Sequence, residues 1–286
     1  MTQRAILADI PGSENNRSAR GQTLADAIKN HIAVESVSFH TPGHKGRLQL
    51  AGLSGLDNLF SADLTELPGL DEMSEPCGVL ASLEDRLSSF AGAEKSFISL
   101  NGATAALTAS IIACASRGSK ILLPRNVHRS VLNALILTGQ DPIFYDPEYL
   151  GDWQTWGETT TGSLQFCMEE EWKNLACVLV CSPNYAGALS DIAKIAKLCH
   201  EKGLPLIVDE AHGAHLGQGQ MPQSALQCGA DIVVHSLHKT LTAPTQTGVV
   251  YLSKQCISES NFVSPVVLRS ALSMLQSSSP SYLLLL

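Results

Sequence analysis

Three features that would assign this sequence to a common protein class are missing from it. Basic residues are in the minority, 19 Lys and Arg against 27 Asp and Glu, whereas nucleic-acid binding needs a basic face that neutralises phosphates. No apolar run approaches the roughly 20 residues of a membrane-spanning helix, and the opening MTQRAILADIPGSENN has no apolar region of the signal-peptide type. We therefore expect neither nucleic acid nor a membrane as a partner.

Cys-x-x-Cys spacing is also missing, although the chain has eight cysteines. That spacing would indicate a redox motif or part of a zinc site. Several cysteines lie inside apolar segments such as ACVLVCSP, where cysteine behaves as a small hydrophobic residue. With no signal sequence, this usage is typical of a protein of the reducing cytoplasm.

From about residue 80 onward, the sequence alternates short apolar segments with helical patterns. The apolar segments are rich in β-branched residues, which is typical of parallel strands buried on both faces. The predicted fold is therefore α/β, with a mostly parallel sheet between two layers of helices. The predicted strands are KSFISL, KILLP, PIFYDP, ACVLVCSP, LPLIVDE, DIVVHS and GVVYLS.

The two ends of the chain differ from this alternating part. Residues 1–20 are polar and are interpreted as a loose arm, and TLADAIKNHIA (23–33) predicts an amphipathic helix. We take 1–35 as an N-terminal arm with a linker helix and 36–286 as one large domain. Residues 148–170 are polar and are interpreted as an insertion or a long loop. The final SSSPSYLLLL is either a helix start that packs on the body or the point where a longer protein is cut off.

Polar residues follow several predicted strands, at the ends where ligands bind in an open α/β sheet. Asn101–Thr104 follows one strand and opens a helix, so its backbone N–H groups form a cradle suited to phosphate. The alternative is a simple helix cap. His128, in RNVHRS, follows the next strand, where a histidine is more often a cap or a surface residue than a functional one.

The segment LIVDEAHGAH places Asp209 and Glu210 at the end of an apolar strand. A buried carboxylate costs several kcal/mol unless it is paired, so a cationic partner or a metal is expected. DEAH matches a helicase box, but no Gly-x-x-x-x-Gly-Lys-Ser/Thr loop precedes it, so nucleotide hydrolysis is not favoured. A metal bound by Asp209, His212 and His215 is a second alternative, although no further ligand set has suitable spacing.

The third alternative joins Asp209 to DIVVHSLHKT, in which Ser236, His238 and Lys239 follow another apolar strand. A lysine there is expected to be partly desolvated, which lowers the pKa of its amine and makes it nucleophilic. An amine nucleophile, a carboxylate and a phosphate cradle at one sheet edge are the groups that bind pyridoxal 5'-phosphate. A solvated surface lysine is the competing interpretation of Lys239 taken alone.

A second His-Lys pair, His44-Lys45 in FHTPGHKG, lies before the alternating part of the chain. No strand precedes it that could desolvate its lysine. The proline and glycines favour a shaped loop near the mouth of the site or at a dimer interface. Lys45 is therefore expected to have a supporting role at most.

Seven segments, in order, resemble one family, the fold-type-I pyridoxal-phosphate decarboxylases of ornithine, lysine and arginine. They run from roughly residue 22 to the end and are FHTPGHKG, DLTELPGLDEM, SLNGATAAL, LPRNVHRSV, VDEAHGAH, HSLHKTLTAPTQTG and LQSSSPSY. The resemblance implies pyridoxal 5'-phosphate as the cofactor and decarboxylation of a basic amino acid to the amine and carbon dioxide. It also implies a homodimer or larger oligomer with sites at the interface.

The resemblance also implies a role for individual residues. Lys239 would be the Schiff-base lysine and Asp209 the partner of the pyridine nitrogen. His128 would stack on the cofactor ring and His212 would flank it. His238 would donate a proton after carbon dioxide leaves.

For the cofactor phosphate, the resemblance implies Ala103, Thr104 and Ser236 as binding residues. Ser278 matches a position that reaches the phosphate of the neighbouring subunit. Ala103 stands where the family often has a hydroxyl residue, and its backbone N–H can still serve.

Family members continue beyond SPSYLL, so the family's C-terminal domain is expected to be absent here. One hypothesis is an active decarboxylase of arginine, lysine or ornithine. Another is a truncated, inactive paralogue that keeps the fold, with or without the cofactor, and acts as a partner or is a relic. A third is a pyridoxal-phosphate enzyme of another reaction type, such as a lyase or transaminase, because one fold hosts several chemistries.

Overall fold

The structure is a computed structural model that describes residues 13–34, 37–46 and 59–286. The chain divides into two compact units, residues 1–87 together with 277–286, and residues 88–276. We call the first the helical unit and the second the sheet unit. The division predicted at residue 35, between an arm with a linker helix and one large domain, stays a prediction.

The predicted apolar segments form the strands of the sheet unit. In the described ranges, the strands are β1 (Lys95–Ser99), β2 (Lys120–Pro124), β3 (Asp141–Tyr145), β4 (Tyr149–Leu150), β5 (Thr155–Trp156), β6 (Leu175–Cys181), β7 (Leu206–Asp209), β8 (Ile232–Ser236) and β9 (Gly248–Leu252). β4 and β5 pair separately, and the other strands form one sheet in the order β1-β9-β8-β7-β6-β2-β3. All seven predicted strands are confirmed.

This sheet is mostly parallel, as predicted. β3, β2, β6, β7 and β8 pair in parallel, and β9 pairs antiparallel with both β8 and β1. β1 therefore runs in the same direction as β8. The carboxyl ends of the parallel strands lie along one edge together with Gly248, the first residue of β9, and we call this the carboxyl edge.

Helices cover the sheet on both faces. The helices of the described residues are α1 (Ser13–Ser18), α2 (Leu24–Ala33), α3 (Val79–Ala91), α4 (Gly102–Cys114), α5 (Arg129–Thr138), α6 (Thr161–Glu171), α7 (Ile192–Glu201), α8 (Leu237–Thr240), α9 (Pro265–Leu275) and α10 (Tyr282–Leu285). One core joins the sheet to α4, α5 and α9 through residues such as Ile111, Val131, Val234 and Leu268.

The opposite face of the sheet is buried as well. Leu122, Val178, Val208 and Val233 alternate with the residues of the first core and have no exposed surface. On this side of the fold, α6 packs against β3 and α7. Burial on both faces explains why the strands are apolar throughout. The predicted three-layer α/β fold is confirmed.

The interpretation of residues 148–170 as a long loop is wrong, while their interpretation as an insertion stays a prediction. This segment contains β4, β5 and most of α6. The rings of Tyr149 and Trp156 meet edge to face across the β4–β5 pair, with 5.4 Å between their centroids. Leu164 is fully buried and anchors α6. One buried leucine gives too weak a periodic pattern for a prediction from sequence.

The helical unit contains the predicted helix of residues 23–33. It is α2, and the Thr23 hydroxyl caps its first turn by accepting a hydrogen bond from the Asp26 N–H at 3.1 Å. The loose arm predicted for residues 1–20 is wrong where it can be compared, since Ser13–Ser18 is helical. The first twelve residues lie outside the described ranges.

Two polar contacts organise the rest of the helical unit. The fully buried Asp71 carboxylate accepts hydrogen bonds from the backbone N–H groups of Cys77, Gly78 and Leu80 at 2.7–3.1 Å, at the start of α3. The Tyr282 hydroxyl, on α10, donates toward the Asp71 carbonyl at 2.8 Å. The end of the chain therefore packs on the body of its unit, which was one of the two interpretations of SPSYLLLL.

Candidate active site

The carboxyl edge of the sheet brings together most of the predicted site residues. Ala103 and Thr104 follow β1, His128 follows β2, and Asp209 ends β7, while His212 lies just beyond it. Ser236 ends β8, and His238 and Lys239 lie on the short helix α8 that follows. The strand order places β8 between β7 and β9, and β9 lies between β8 and β1.

The first turn of α4 has the features of an anion cradle. Its N-cap residue, Asn101, makes no capping hydrogen bond, because its side-chain amide donates to the Leu275 carbonyl at 2.8 Å. The N–H groups at the start of α4 thus have no side-chain cap. This overturns the alternative of a simple helix cap and leaves those groups available to an anion.

Gly248 is a residue of this cradle that the sequence interpretation missed. A Cβ atom placed on Gly248 would lie 2.8 Å from the Ala103 nitrogen and 2.8 Å from the Gly102 carbonyl carbon. Only glycine therefore lets β9 approach the start of α4 this closely. Its position in TQTGVV, directly before an apolar strand, was the available signal.

Ser236 supplies a hydroxyl beside this cradle. It is buried, it pairs with Gly248 in the register of β8 and β9, and Ser99 pairs with Gly248 from the other side. Ser236 occupies the N-cap position of α8, but its side chain makes no capping hydrogen bond. The hydroxyl is thus not committed to the local backbone.

Asp209 is a buried carboxylate with little internal compensation. The residue as a whole is 4% exposed, and its Oδ1 accepts a hydrogen bond from the Ala211 N–H at 3.2 Å. Burial raises the pKa of the carboxyl above its ordinary value, and the positive charges of Lys239 and His128 oppose that rise less strongly. Within the described residues it forms no ion pair, so the predicted cationic partner is not a side chain in direct contact.

Glu210, the second acid of DEAH, does have a partner. Its Oε2 lies 2.7 Å from Nε2 of His235, and both side chains are buried. Its Oε1 accepts a hydrogen bond from the Ala225 N–H at 2.9 Å. The pair joins the ends of β7 and β8, so the Glu210 carboxylate has a structural role. The Asp209 carboxylate can still accept hydrogen bonds from a ligand.

Lys239 differs from its prediction in one respect. It lies on α8, beyond the end of β8, and its side chain is exposed rather than partly desolvated. The reason is that α8 carries the chain beyond the buried strand, which ends at Ser236. Its amine lies 3.1 Å from Nε2 of His212 and is open to an incoming aldehyde or amino acid.

His212 lies between several charged and aromatic groups. Burial, and then the positive charges of Lys239 and His128, lower the pKa of its imidazole below the ordinary value. The ring of Tyr185, which is 95% exposed, meets the His212 ring edge to face at 6.2 Å between centroids. Tyr185 was not predicted, although its position in CSPNYAG after a buried strand was a signal.

His238 is half-buried beside Lys239. Its Nδ1 lies 3.0 Å from the Thr247 carbonyl oxygen. Because a carbonyl can only accept, this contact places the proton on Nδ1 and leaves Nε2 for proton exchange with a ligand. The predicted role in proton transfer stays a prediction.

His128 is exposed and caps α5, as the cautious interpretation expected. Its Nδ1 accepts a hydrogen bond from the Ser130 N–H at 3.2 Å. The cap uses an edge of the ring and leaves its face free for stacking. The electrostatic influence of His128 on Asp209 and His212 places all three in one neighbourhood.

Ser278 and the TPGHKG loop belong to the helical unit, and their predicted roles at the site stay predictions. Ser278 is exposed. In the loop, Lys45 donates to the His40 carbonyl, and Nε2 of His44 lies 3.0 Å from the Asp63 carboxylate. Lys45 has a φ of +55° and thus takes part in a tight turn.

The alternative of a metal site is not supported by the geometry. In the described ranges, no group of three His, Cys, Asp or Glu side chains is arranged to hold a metal ion. Asp209, His212 and His215 therefore do not converge. Among the described helices, none is long and apolar enough to cross a lipid bilayer.

With the site in place, comparison with known proteins decides the family. The family model for the major domain of Orn/Lys/Arg decarboxylases matches residues 22–286. The chain belongs to this family. The resemblance of the seven segments is thereby confirmed, and so is the fold type that it implied.

Two relatives are from Bacillus subtilis strain 168. The chain is 36% identical to the uncharacterized protein YaaO over 91% of its own length and 53% of that protein. It is 33% identical to an arginine decarboxylase over 92% of its length and 53% of that enzyme. The chain thus spans about half the length of the curated relatives it matches.

A solved structure shares the fold. The crystal structure of the Francisella novicida lysine decarboxylase LdcF matches with a TM-score of 0.76 at 19% identity, over 94% of this chain and 39% of that one. At this identity the match concerns the fold of the chain.

Proposed function

We propose that this chain binds pyridoxal 5'-phosphate at the carboxyl edge and decarboxylates a basic amino acid. The observation that carries the proposal is the convergence of three groups on that edge. They are the uncapped start of α4, the under-compensated carboxylate of Asp209 and the accessible amine of Lys239. Family membership supports the same conclusion.

The residues present fit this cofactor. The N–H groups of Ala103 and Thr104, with the hydroxyl of Ser236, would hold its phosphate. Asp209 would accept a hydrogen bond from a protonated ring nitrogen, which supplies the cationic partner that its burial demands. Lys239 would hold the aldehyde carbon through its amine. When bound, the cofactor supplies an electron sink, which would accept the electron pair of the substrate's carbon–carboxylate bond as carbon dioxide leaves.

The remaining site residues orient groups and move protons. The face of His128 is free to stack on a planar ring while its edge caps α5. His238, whose Nδ1–H is fixed by the Thr247 carbonyl, would deliver a proton to the substrate carbon from Nε2 when the ring is doubly protonated, and would remain as the Nδ1–H neutral imidazole. The negative charge of Asp209 favours a positive charge on the ring, which makes electron withdrawal stronger.

For the substrate we propose arginine as the first candidate, with lysine and ornithine as alternatives. The support is the identity of 33% over 92% of this chain to an enzyme named arginine decarboxylase. The proposed assembly is a homodimer or larger oligomer, with Ser278 reaching a neighbouring subunit.

The test has two independent measurements on the purified chain. Added cofactor should produce a visible absorbance band that is absent from Lys239→Ala and present in Lys254→Ala, whose exposed lysine follows β9. Carbon dioxide release is then measured with arginine, lysine and ornithine in turn. Release from one of them, lost in Lys239→Ala, would establish the activity and its substrate.

Other outcomes separate the competing hypotheses. A wild-type chain with no visible band would overturn the proposed cofactor. A band without carbon dioxide release from any of the three amino acids would favour a non-catalytic member that keeps the cofactor. A band with turnover of another amino acid would favour a lyase or transaminase.

A further inference from the structure

We propose that His212 is a positioning residue for Lys239, holding the amine by a hydrogen bond through Nε2 while the ring of Tyr185 fixes the imidazole. This inference rests on the proposed function of Lys239. In this proposal His212 orients the lysine amine, and Tyr185 orients His212. Tyr185 is not among the site residues predicted from the sequence.

The first argument is the isolation of the Lys239 amine from other acceptors. α8 is four residues long and places the lysine beyond the sheet, with an exposed side chain that has many rotamers. Among the described residues, its amine makes a side-chain hydrogen bond with Nε2 of His212, at 3.1 Å. Ordering a long side chain costs roughly 1–2 kcal/mol of entropy, and without this contact the amine would not be held near Asp209.

The second argument is that the imidazole itself is held. His212 is half-buried and follows β7 by three residues, in a segment where Ala211 donates to Asp209. Tyr185 meets its ring edge to face, and Tyr185 lies in a loop fixed by Asn184. The buried Asn184 side chain accepts from the N–H groups of Ala186 and Ala188 at 2.9 and 3.0 Å and donates to the Gly157 carbonyl at 2.7 Å.

The third argument is the charge state of His212. An imidazole can accept a hydrogen bond from an ammonium group only when it is neutral. The groups that face this part of the edge are Lys239 on α8, His128 before α5, Asp209 on β7, Cys181 at the end of β6 and Tyr185 after it. Burial, and then the positive charge of Lys239, lower the pKa of His212, so the acceptor is present at neutral pH and is lost in acid.

The first experiment needs no cofactor. Histidine titrations are followed by NMR in the apoprotein, for the wild type and for Lys239→Met. This substitution keeps a long unbranched side chain at position 239 and removes its charge. The pKa of His212 should rise in the variant, while that of His200, which pairs with Asp231 at the other edge, should not move. An unchanged His212 titration would overturn the inference.

The second experiment measures the rate of cofactor uptake at neutral pH. His212→Ala should slow uptake about tenfold, the equivalent of one hydrogen bond with a charged partner. His212→Gln should restore most of the rate, because its amide oxygen accepts a hydrogen bond although it lacks a ring. Tyr185→Ala should slow uptake about threefold. Tyr149→Ala is the matched control, since that exposed tyrosine meets Trp156 instead.

The outcomes distinguish this inference from the proposed function. If His212→Gln is as slow as His212→Ala, His212 acts through its ring alone and the positioning role is wrong. If His212→Ala takes up cofactor at the wild-type rate, the role is equally wrong. If the wild type takes up no cofactor, the proposed function fails, while the NMR titration still decides whether His212 holds Lys239.

Discussion

Two buried aspartates at opposite edges of the same sheet show how position decides the use of a residue. Asp209 ends β7 at the carboxyl edge, and Asp231 precedes β8 at the amino edge. Burial raises the pKa of both carboxyls. Asp231 accepts hydrogen bonds from Nε2 of His200 and from the Leu206 N–H, both at 2.8 Å, whereas Asp209 accepts one backbone hydrogen bond at 3.2 Å.

The difference follows from what each edge offers. At the amino edge, the last turn of α7 and the start of β7 supply two donors to Oδ2 of Asp231, while Oδ1 is buried without a hydrogen-bond partner in the described residues. At the carboxyl edge, the segment after β7 leaves one side of the Asp209 carboxylate open toward Lys239 and His128. These residues lower its pKa electrostatically without contacting it directly. The Asp231 carboxylate is thus committed to the fold through two donors on one oxygen, whereas the Asp209 carboxylate, with one long hydrogen bond, is available to a ligand.

The largest expected effect tests the structural side of this comparison. Asp231→Ala should destabilise the protein by about 3 kcal/mol, because it leaves the Leu206 N–H and His200 without their acceptor. Urea denaturation monitored by circular dichroism measures it. Cofactor uptake by the folded fraction should be unchanged, and a selective loss of uptake would contradict the division between the two edges.

The next effect tests the functional side. Asp209→Asn should lower decarboxylation by about 100-fold or more, since the amide cannot offset a positive charge on the cofactor ring. Initial rates of carbon dioxide release measure it, with the cofactor band as the control for binding. Wild-type rates in Asp209→Asn would show that Asp209 is not the electrostatic partner.

The cradle beside Asp209 should respond to its glycine. Gly248→Ala places a Cβ 2.8 Å from the Ala103 nitrogen, so β9 and α4 must separate, at a cost of about 2 kcal/mol. The affinity of the Gly248→Ala variant for inorganic phosphate, measured by calorimetry, should also fall. Gly219→Ala is a contrasting variant, because a Cβ there meets no neighbouring atom within 4 Å, although its φ of +56° adds backbone strain. Equal phosphate affinity in both variants would argue against the cradle.

The smallest effect concerns pH. The folded pKa of Asp209 is raised above its unfolded value near 3.8. The folded state therefore binds more protons in the window from 3.8 to the raised pKa, and stability is lost as the pH rises through that window. Asp209→Asn should remove this loss and stabilise the apoprotein at neutral pH by on the order of 1 kcal/mol. Thermal unfolding of both proteins between pH 4 and 7 measures the difference, and parallel curves would contradict it.

Much of the fold could be predicted because its elements have strong local patterns. The seven strands are apolar on both faces, and helix α5 ends at Thr138, directly before its C-cap residue Gly139, which has a φ of +74°. Residues 148–170 escaped prediction because α6 depends on Leu164 and the β4–β5 pair on a ring contact between Tyr149 and Trp156. These contacts join residues whose partners the sequence does not identify.

The candidate site divides in the same way. Asp209, His212, Ser236 and Lys239 could be nominated because polar residues at the ends of apolar strands are conspicuous. The desolvation of Lys239 was wrongly expected because the strand ends at Ser236 and α8 intervenes. Tyr185 was missed, because its position after a buried strand places it at the carboxyl edge but does not indicate that its ring meets His212.

The sequence by itself determined the alternation of strands and helices, the family signature and the residue types available for chemistry. These properties depend on side-chain character and spacing along the chain, which are local. Only the tertiary structure decided that Glu210 pairs with His235, that Asp209 forms no ion pair with any described residue, and that Gly248 lies against the start of α4. Strand order and register set those contacts, and they arise from packing between residues far apart in sequence.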